Sequence, residues 1–339
     1  MDQMEQVVKI FPRKLRMMLG GAGTEHFQAE ELRLRTGQPL LMKAEGEEWY
    51  LGADGTRWEK DGGRERSAPG YLVTAEDIRE TLEYMSRYSL YAFDSELRQG
   101  FLTIQGGHRV GVAGQAVLEG GKVKTLQNIS FLNVRVAREV PGCADKILPY
   151  IYEKGRVCSA LVISPPGCGK TTLLRDMIRQ VSDGWQDKER GRLVKGLTVG
   201  VVDERSELGA CCQGRPQNDL GRRTDVLDGC PKAEGIMMLI RSMAPQVVAV
   251  DEVGSPEDLE AIRYGKNCGC KLLATVHGCS LEDIRKKPVF KELMAEGLFQ
   301  RSVVLESRER PGQVREVLDG DGRCLWRYGQ GQDAARPTG

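Results

Sequence analysis

The stretch SPPGCGKTT, residues 164–172, decides how this chain is read. It follows a β-rich apolar run, CSALVIS (158–164). It precedes TTLLRDMIRQV, in which Leu173, Leu174, Met177, Ile178 and Val181 fall on one helical face. Strand, glycine loop and helix in that order are the setting of a phosphate-binding loop, G-x-x-x-x-G-K-[ST]. Gly167 and Gly169 let backbone N–H groups approach phosphate oxygens without side-chain clash. Lys170 reaches the β- and γ-phosphates, and Thr171 offers its hydroxyl to Mg²⁺. The helix N-terminus adds about half a positive charge to the same anion. Ser164 replaces the first glycine of the motif. Pro165 and Pro166 already fix the backbone there, so a small residue suffices. The whole loop, including Cys168 and Thr172, is expected to bind ATP with Mg²⁺.

Beyond the loop, short continuous apolar runs alternate with helical segments: LTVGVVD, a helix near 232–243, QVVAVDE, PEDLEAIRYG and KLLATVH. That pattern predicts a parallel sheet buried on both faces, an α/β P-loop NTPase core of the RecA/AAA-like kind. QVVAVDE (246–252) runs from a buried strand into two carboxylates. Asp251 is expected near the Mg²⁺ shell and Glu252 as the general base that polarises water. KLLATVHG is expected between the loop strand and the Asp251 strand, with Thr275 and His277 facing the γ-phosphate. LTVGVVDERSELG ends in Asp203, Glu204 and Glu207. These acids either orient water or Mg²⁺, or form a solvated loop with Arg205 as internal partner. Arg222 and Arg223 in a polar loop, and Arg241 on the following helix, are candidates to spread positive charge over the transition state, from this chain or a neighbouring subunit. Their spacing does not choose among them. QRSVVLES and VREVLDG suggest an edge hairpin.

The N-terminal part has a different character. TAEDIRETLEYMSRYS predicts a helix capped by Thr74, with Ile78, Leu82 and Met85 on one face. FLTIQGGHRVGVAG (101–114) and ISFLNVRVA (129–137) read as strands with glycine turns, and 60–70 as an exposed loop. MDQMEQVVKIFPRKLRMMLG reads as a domain-starting helix. The expected organisation is an N-terminal α+β domain over 1–145, a P-loop ATPase domain over 146–327 and a disordered tail over 328–339.

Composition narrows the function classes. Forty-nine basic residues against 48 acidic ones, with 6% aromatics, give no global footprint for nucleic acid. No apolar run reaches membrane-spanning length, and the N-terminus lacks a signal-peptide core. Ten cysteines without a C-x-x-C pair read as reduced thiols rather than a zinc site or a disulfide scaffold.

The order of phosphate loop, acidic box DERSE, L-I-R-x-x-x-P, Asp251-Glu252 and ATVHG resembles that of type II and type IV secretion ATPases. ELRLRTGQPL, GHRVGVAGQAV, NVRVAREVPG, PPGCGKTTLLRD, GRRTDVLDGCPKAEG and TVHG together resemble the stage III sporulation protein AA family, over about 30–310. The resemblance implies a ring-forming ATPase, a hexamer, in the mother-cell cytoplasm. It would sit peripherally at the membrane facing the forespore, with the channel proteins of the sporulation apparatus as partners and no nucleic acid. It assigns Lys170 and Thr171 to phosphate and Mg²⁺, Glu252 to the catalytic glutamate, His277 to the histidine box and Glu207 to the last acid of the acidic box. Secretion ATPases carry Gly-Glu where this chain has Asp251-Glu252, so both Glu252 and Glu207 stand as candidate bases. The resemblance also makes Arg109, Arg135 and Arg138 of the N-terminal domain candidates to lean over the nucleotide. A nucleic-acid-dependent P-loop ATPase and a nucleotide-gated scaffold are the alternative readings.

Overall fold

A computed structural model describes residues 7–21, 29–44, 46–59, 70–86, 94–187, 191–306 and 312–329. The expected exposed loop at 60–70 lies, except for Gly70, outside the described residues. So do residues 330–339 of the expected tail. The chain divides into two units, Met1–Arg138 and Glu139–Gly339. Residues 139–145 go with the second unit, where the Ala144 N–H donates to Asp176 Oδ2 at 2.8 Å.

In the first unit, period-2 stretches build a seven-stranded antiparallel sheet, β4-β3-β2-β1-β7-β6-β5. Its strands are β1 (Ala29–Arg35), β2 (Leu41–Ala44), β3 (Glu47–Leu51), β4 (Arg57–Glu59), β5 (Phe101–Thr103), β6 (Arg109–Glu119) and β7 (Lys122–Arg135). Helix α1 (Arg13–Gly21) buries Leu15, Met18 and Leu19 in the same core as Leu32, Leu34 and Val134. Helix α2 (Ala75–Met85) opens with a reciprocal capping box between Thr74 and Asp77 and buries Ile78, Leu82 and Met85. A short α3 (Asp94–Gln99) precedes β5.

The β6–β7 hairpin is longer than its sequence suggests. Residues 115–128 extend both strands, and they turn at Gly120-Gly121, whose φ values of 60° and 78° suit a two-residue hairpin turn. That extension has no fully buried position, so its pattern lacks the apolar face by which a strand is recognised. Arg109 stacks on Phe101 at 3.6 Å, while Arg135 and Arg138 lie 4.0 and 3.9 Å from Glu31 and Glu30.

The second unit is built on an eight-stranded sheet ordered β14-β13-β15-β16-β10-β17-β18-β19. The first six strands are parallel: β14 (Thr224–Asp228), β13 (Val199–Asp203), β15 (Val247–Val250), β16 (Lys271–His277), β10 (Ala160–Ser164) and β17 (Arg301–Leu305). β13, β15, β10 and β17 are buried along their whole length, the signature of a sheet covered on both faces. β18 (Val314–Asp319) makes the expected hairpin with β17, and β19 (Cys324–Arg327) adds a further edge strand. As expected, β16 lies between β10 and β15.

Helix α4 (Lys170–Asp183) packs Leu173, Leu174, Met177, Ile178 and Val181 under the sheet, each worth roughly 1.5–3 kcal/mol on full burial. Helices α5 (Lys232–Met243) and α6 (Pro256–Asn267) follow β14 and β15. α6 starts with Ser255 as cap, Pro256 in the first turn and Asp258 closing the capping box. α7 (Leu281–Lys286) and α8 (Pro288–Ala295) lead into β17. Two small hairpins, β8 (Tyr152–Glu153) with β9 (Arg156–Val157) and β11 (Gly184–Asp187) with β12 (Arg192–Lys195), stand beside the sheet. All ten cysteines are free thiols. Cys168 is buried, while Cys268 and Cys279 are exposed. Among the described residues no helix is long and apolar enough to cross a membrane.

Candidate functional site

Parallel sheets bind ligands beyond the C-terminal ends of their strands, and the motif residues converge there. β10 ends at Ser164, which is fully buried and in register with His277 at the end of β16. The Ser164 hydroxyl donates to the Pro165 carbonyl at 2.7 Å, and its own carbonyl accepts the Gly278 N–H at 3.2 Å. Burial against the neighbouring strand explains a small residue at this position. Gly167 and Gly169 have φ values of 76° and 87°, left-handed conformations that a side chain would strain. Between them, Cys168 is turned inward, and its carbonyl accepts the Gly312 N–H at 2.8 Å. The loop is thus fastened to two other segments of the unit. Pro166 and Gly167 are exposed, with Pro165 and Gly169 half-buried.

Lys170 and Thr171 open α4 and meet the end of β15. The Lys170 ammonium, 8% exposed, donates to Glu252 Oε1 at 2.5 Å and lies 4.0 Å from Asp251 Oδ1. Thr171 Oγ1 donates to Asp251 Oδ2 at 2.6 Å. Thr172, the next residue, is half-buried.

Glu252 is the centre of the network. Its Oε1 also lies 3.0 Å from His277 Nε2, and its Oε2 accepts from Arg205 Nη1 at 2.7 Å. Burial pushes its carboxyl upward, but the hydrogen bond and charge of Lys170, with His277 and Arg205 adding to them, hold it below the usual carboxylate range. Glu252 has φ +54°, a left-handed conformation that costs a non-glycine residue about 1–3 kcal/mol. Its N–H is tied to Thr275 Oγ1 at 2.9 Å and to Asp251 Oδ1 at 3.1 Å, which holds it there.

Thr275 is fully buried and also donates to Asp251, so it braces the two acids rather than facing outward. His277 keeps its Nε2 on Glu252, and its Nδ1 is buried without a hydrogen bond. Its carbonyl accepts from Lys287 Nζ.

The acidic loop after β13 divides its labour. Asp203 is 2% exposed and accepts the N–H groups of Glu207 at 2.9 Å and Gly209 at 2.7 Å. Burial raises its carboxyl against those bonds, so Asp203 shapes the turn. Glu204 pairs with Lys232 at the start of α5. Arg175 of α4 donates to the carbonyls of Leu208 and Glu207 at 2.9 and 2.7 Å, fixing the loop beside the helix. Glu207 and Lys232 line a small recess together with Asp251 and Glu252. Arg205 reaches across to Glu252 instead of closing on its own loop, a contact sequence spacing does not reveal.

The three arginines expected near the γ-phosphate lie elsewhere in this chain. The Arg222 N–H donates to Asp183 Oδ1 and the Arg223 N–H to Ser182 Oγ, both at 2.8 Å, and Arg223 Nη1 donates to the Ser182 carbonyl at 3.0 Å. They therefore sit at the C-terminus of α4, roughly 18 Å of helix beyond Lys170. A cation there favours the carbonyl end of the helix. Arg241, in the last turn of α5, lies over the Tyr264 ring at 5.8 Å, roughly 14 Å along its helix from Lys232.

The family described as sporulation stage III, protein AA, matches residues 1–325. Stage III sporulation protein AA of Bacillus subtilis (strain 168) is 39% identical over 325 residues, covering 96% of this chain and 98% of that protein. Among solved structures, the ATPase DotB of Legionella pneumophila aligns with a TM-score of 0.51 at 15% identity, over 85% of this chain and 74% of that one. The pilus retraction motor PilT, solved with bound ADP, aligns with a TM-score of 0.54 at 15% identity, over 85% and 77%. Likeness at that identity establishes the fold, which is that of the secretion and pilus ATPases.

Proposed function

The chain belongs to the sporulation stage III protein AA family, and from that premise we propose that it is an ATP-hydrolysing, ring-forming motor of the secretion-ATPase type. The observation that carries the reading is the meeting of Lys170 and Thr171, which follow β10, with Asp251 and Glu252, which follow β15, across the end of the intervening β16. In this state a carboxylate oxygen of Glu252 occupies the place on Lys170 that a phosphate oxygen would take.

The residues fit a nucleotide and its metal. Gly167 and Gly169 leave backbone N–H groups free of side-chain cover for the phosphates. The Thr171 hydroxyl and Asp251 carboxylate, 2.6 Å apart, are hard oxygen donors of the kind that hold Mg²⁺. When bound, Mg²⁺ neutralises charge on the phosphate oxygens. Lys170 then turns from Glu252 to the β- and γ-phosphates, and the released Glu252 carboxylate accepts a proton from the attacking water. His277 and Arg205 hold Glu252 in place, and Thr275 braces its backbone. Glu207, on the rim of the same recess, is the second candidate for the base.

Arg222, Arg223 and Arg241 lie away from this chain's phosphate loop, so any of them acting on a γ-phosphate would do so at the loop of a neighbouring subunit. Hexameric assembly in the mother cell, peripheral to the membrane and driving a channel to the forespore, completes the reading. The deciding experiment is phosphate release under multiple-turnover conditions with ATP and Mg²⁺, with the mass of the complex measured in parallel. Sustained release together with nucleotide-driven assembly is expected. ATP binding without turnover would instead mark a nucleotide-gated scaffold.

A further inference from the structure

At the end of the second unit's sheet opposite the phosphate loop lies a cavity of about 480 Å³, within the size range of small-ligand pockets. Its walls come from the β8–β9 and β11–β12 hairpins and from the entrances to β13, β15 and β16. β16 begins at this cavity with Lys271 and ends at the phosphate site with His277, roughly 20 Å away at strand rise. The two sites are therefore separate and share a strand.

Four cations surround the cavity: Arg156, Arg192, Lys195 and Lys271. Among the described residues no carboxylate lines it, and none of the four cations has an ion-pair partner. Lys271 reaches only the side-chain carbonyl of Gln300, at 3.5 Å. The nearby Glu153 is taken by Arg301. The Arg192 guanidinium lies directly against Gly155, where a Cβ would come within 2.7 Å of Nη2. Four like charges around one space repel each other, and an anion between them relieves that repulsion.

The rest of the lining is of another kind. Val157, Val194, Leu197 and the Tyr152 ring form an apolar wall, and Tyr152 packs on Trp185 at 5.7 Å. Gln246 accepts the Thr198 N–H through Oε1, which leaves its amide N–H₂ to donate. The charge exceeds what one carboxylate would need and suits a polyphosphate, for which arginine forks are well shaped.

We propose that this cavity is a second nucleotide site, binding a nucleoside polyphosphate with its phosphates on Arg156, Arg192, Lys195 and Lys271 and its base and sugar on the apolar wall. The test uses the full chain carrying Lys170→Ala, which silences the phosphate loop, titrated calorimetrically with GTP, guanosine and inorganic triphosphate. GTP should bind one-to-one with a Kd below about 100 µM, and the two fragments at least about tenfold more weakly. Adding Arg156→Glu and Arg192→Glu, or the milder pair of alanines, should weaken GTP by about tenfold or more. Both arginines are exposed and remote from the loop, so in the chain with Lys170 intact these changes should leave Mg²⁺-dependent ATP binding unaltered. No GTP binding to the Lys170→Ala chain, or binding indifferent to the arginine changes, overturns the proposal. Failure of the phosphate-loop reading would show separately, as ATP turnover indifferent to Lys170.

Discussion

Lys170 and Glu252, 82 positions apart in sequence, form a 2.5 Å ion pair at the mouth of the phosphate loop. The cation expected to hold phosphate and the carboxylate expected to activate water are each other's partner until a ligand separates them. This competition sets the first expectation. Glu252→Gln removes the competing charge, so ATP should bind several-fold more tightly while turnover falls by roughly 10²-fold or more, as for loss of a general base. Lys170→Ala should abolish turnover and the Mg²⁺-dependent share of ATP binding. Equilibrium binding paired with phosphate release separates the two effects, and full turnover in Glu252→Gln would transfer the base to Glu207.

Arg205 lies 2.7 Å from the other oxygen of Glu252 and helps to hold its carboxyl below the usual range. Removing a nearby cation disfavours the charged form, so Arg205→Ala moves the Glu252 carboxyl upward. A base works only when deprotonated. The acid limb of the kcat/KM profile should therefore move to higher pH in Arg205→Ala, and an unmoved limb would separate Arg205 from the base.

Thr275 serves both acids through one hydroxyl. Thr275→Val keeps the shape and removes the hydroxyl, losing two hydrogen bonds at about 0.5–1.5 kcal/mol each while the Glu252 N–H and the Asp251 carboxylate keep their bond to each other. The phosphate loop is untouched by this change. The expected result is a fall in kcat larger than any rise in KM, with Thr275→Ser restoring most of it. Equal loss in the serine variant would point to packing rather than to the hydroxyl.

His108, in the first unit, is fully buried, accepts the Ala137 N–H on Nδ1 at 3.1 Å and has no partner on Nε2. Burial lowers its pKa from the usual 6.5 to about 4. Between those values the unfolded chain binds the extra proton, so stability is full above about pH 6.5 and is lost as pH falls toward 4. Chemical denaturation at a series of pH values should show this slope. His108→Gln should flatten it, and an unchanged slope would assign the effect to other groups.

How much of this was legible in the sequence depends on how far apart the partners lie. The phosphate loop is written in consecutive residues, and its glycines, lysine and threonine take the local geometry their order implies. The place of β16 between β10 and β15 was likewise readable, because buried parallel strands ending in polar residues recur in this class of sheet. Arg205 was not, since its contact with Glu252 spans 47 positions and nothing in DERSE separates an arginine facing its own loop from one facing the next strand. Arg222, Arg223 and Arg241 show the opposite limit. Charge and loop composition suggested the phosphate end, but the direction of α4 and α5 carries them to the far end. Thr275 was placed on the correct strand, yet its inward rotamer depends on the packing of Asp251 beside it.

The distribution of thiols has a practical consequence. Cys268 and Cys279 are exposed at opposite ends of β16, the first next to Gly269 of the cavity wall and the second two residues beyond His277. Cys168, within the phosphate loop, is buried and shielded from reagents in solution. With the half-exposed Cys143, Cys212, Cys230 and Cys324 replaced by serine, one labelling step can place fluorophores at both ends of a single strand without touching the loop. The pair would serve as a built-in ruler, reporting whether a ligand at one end is felt at the other.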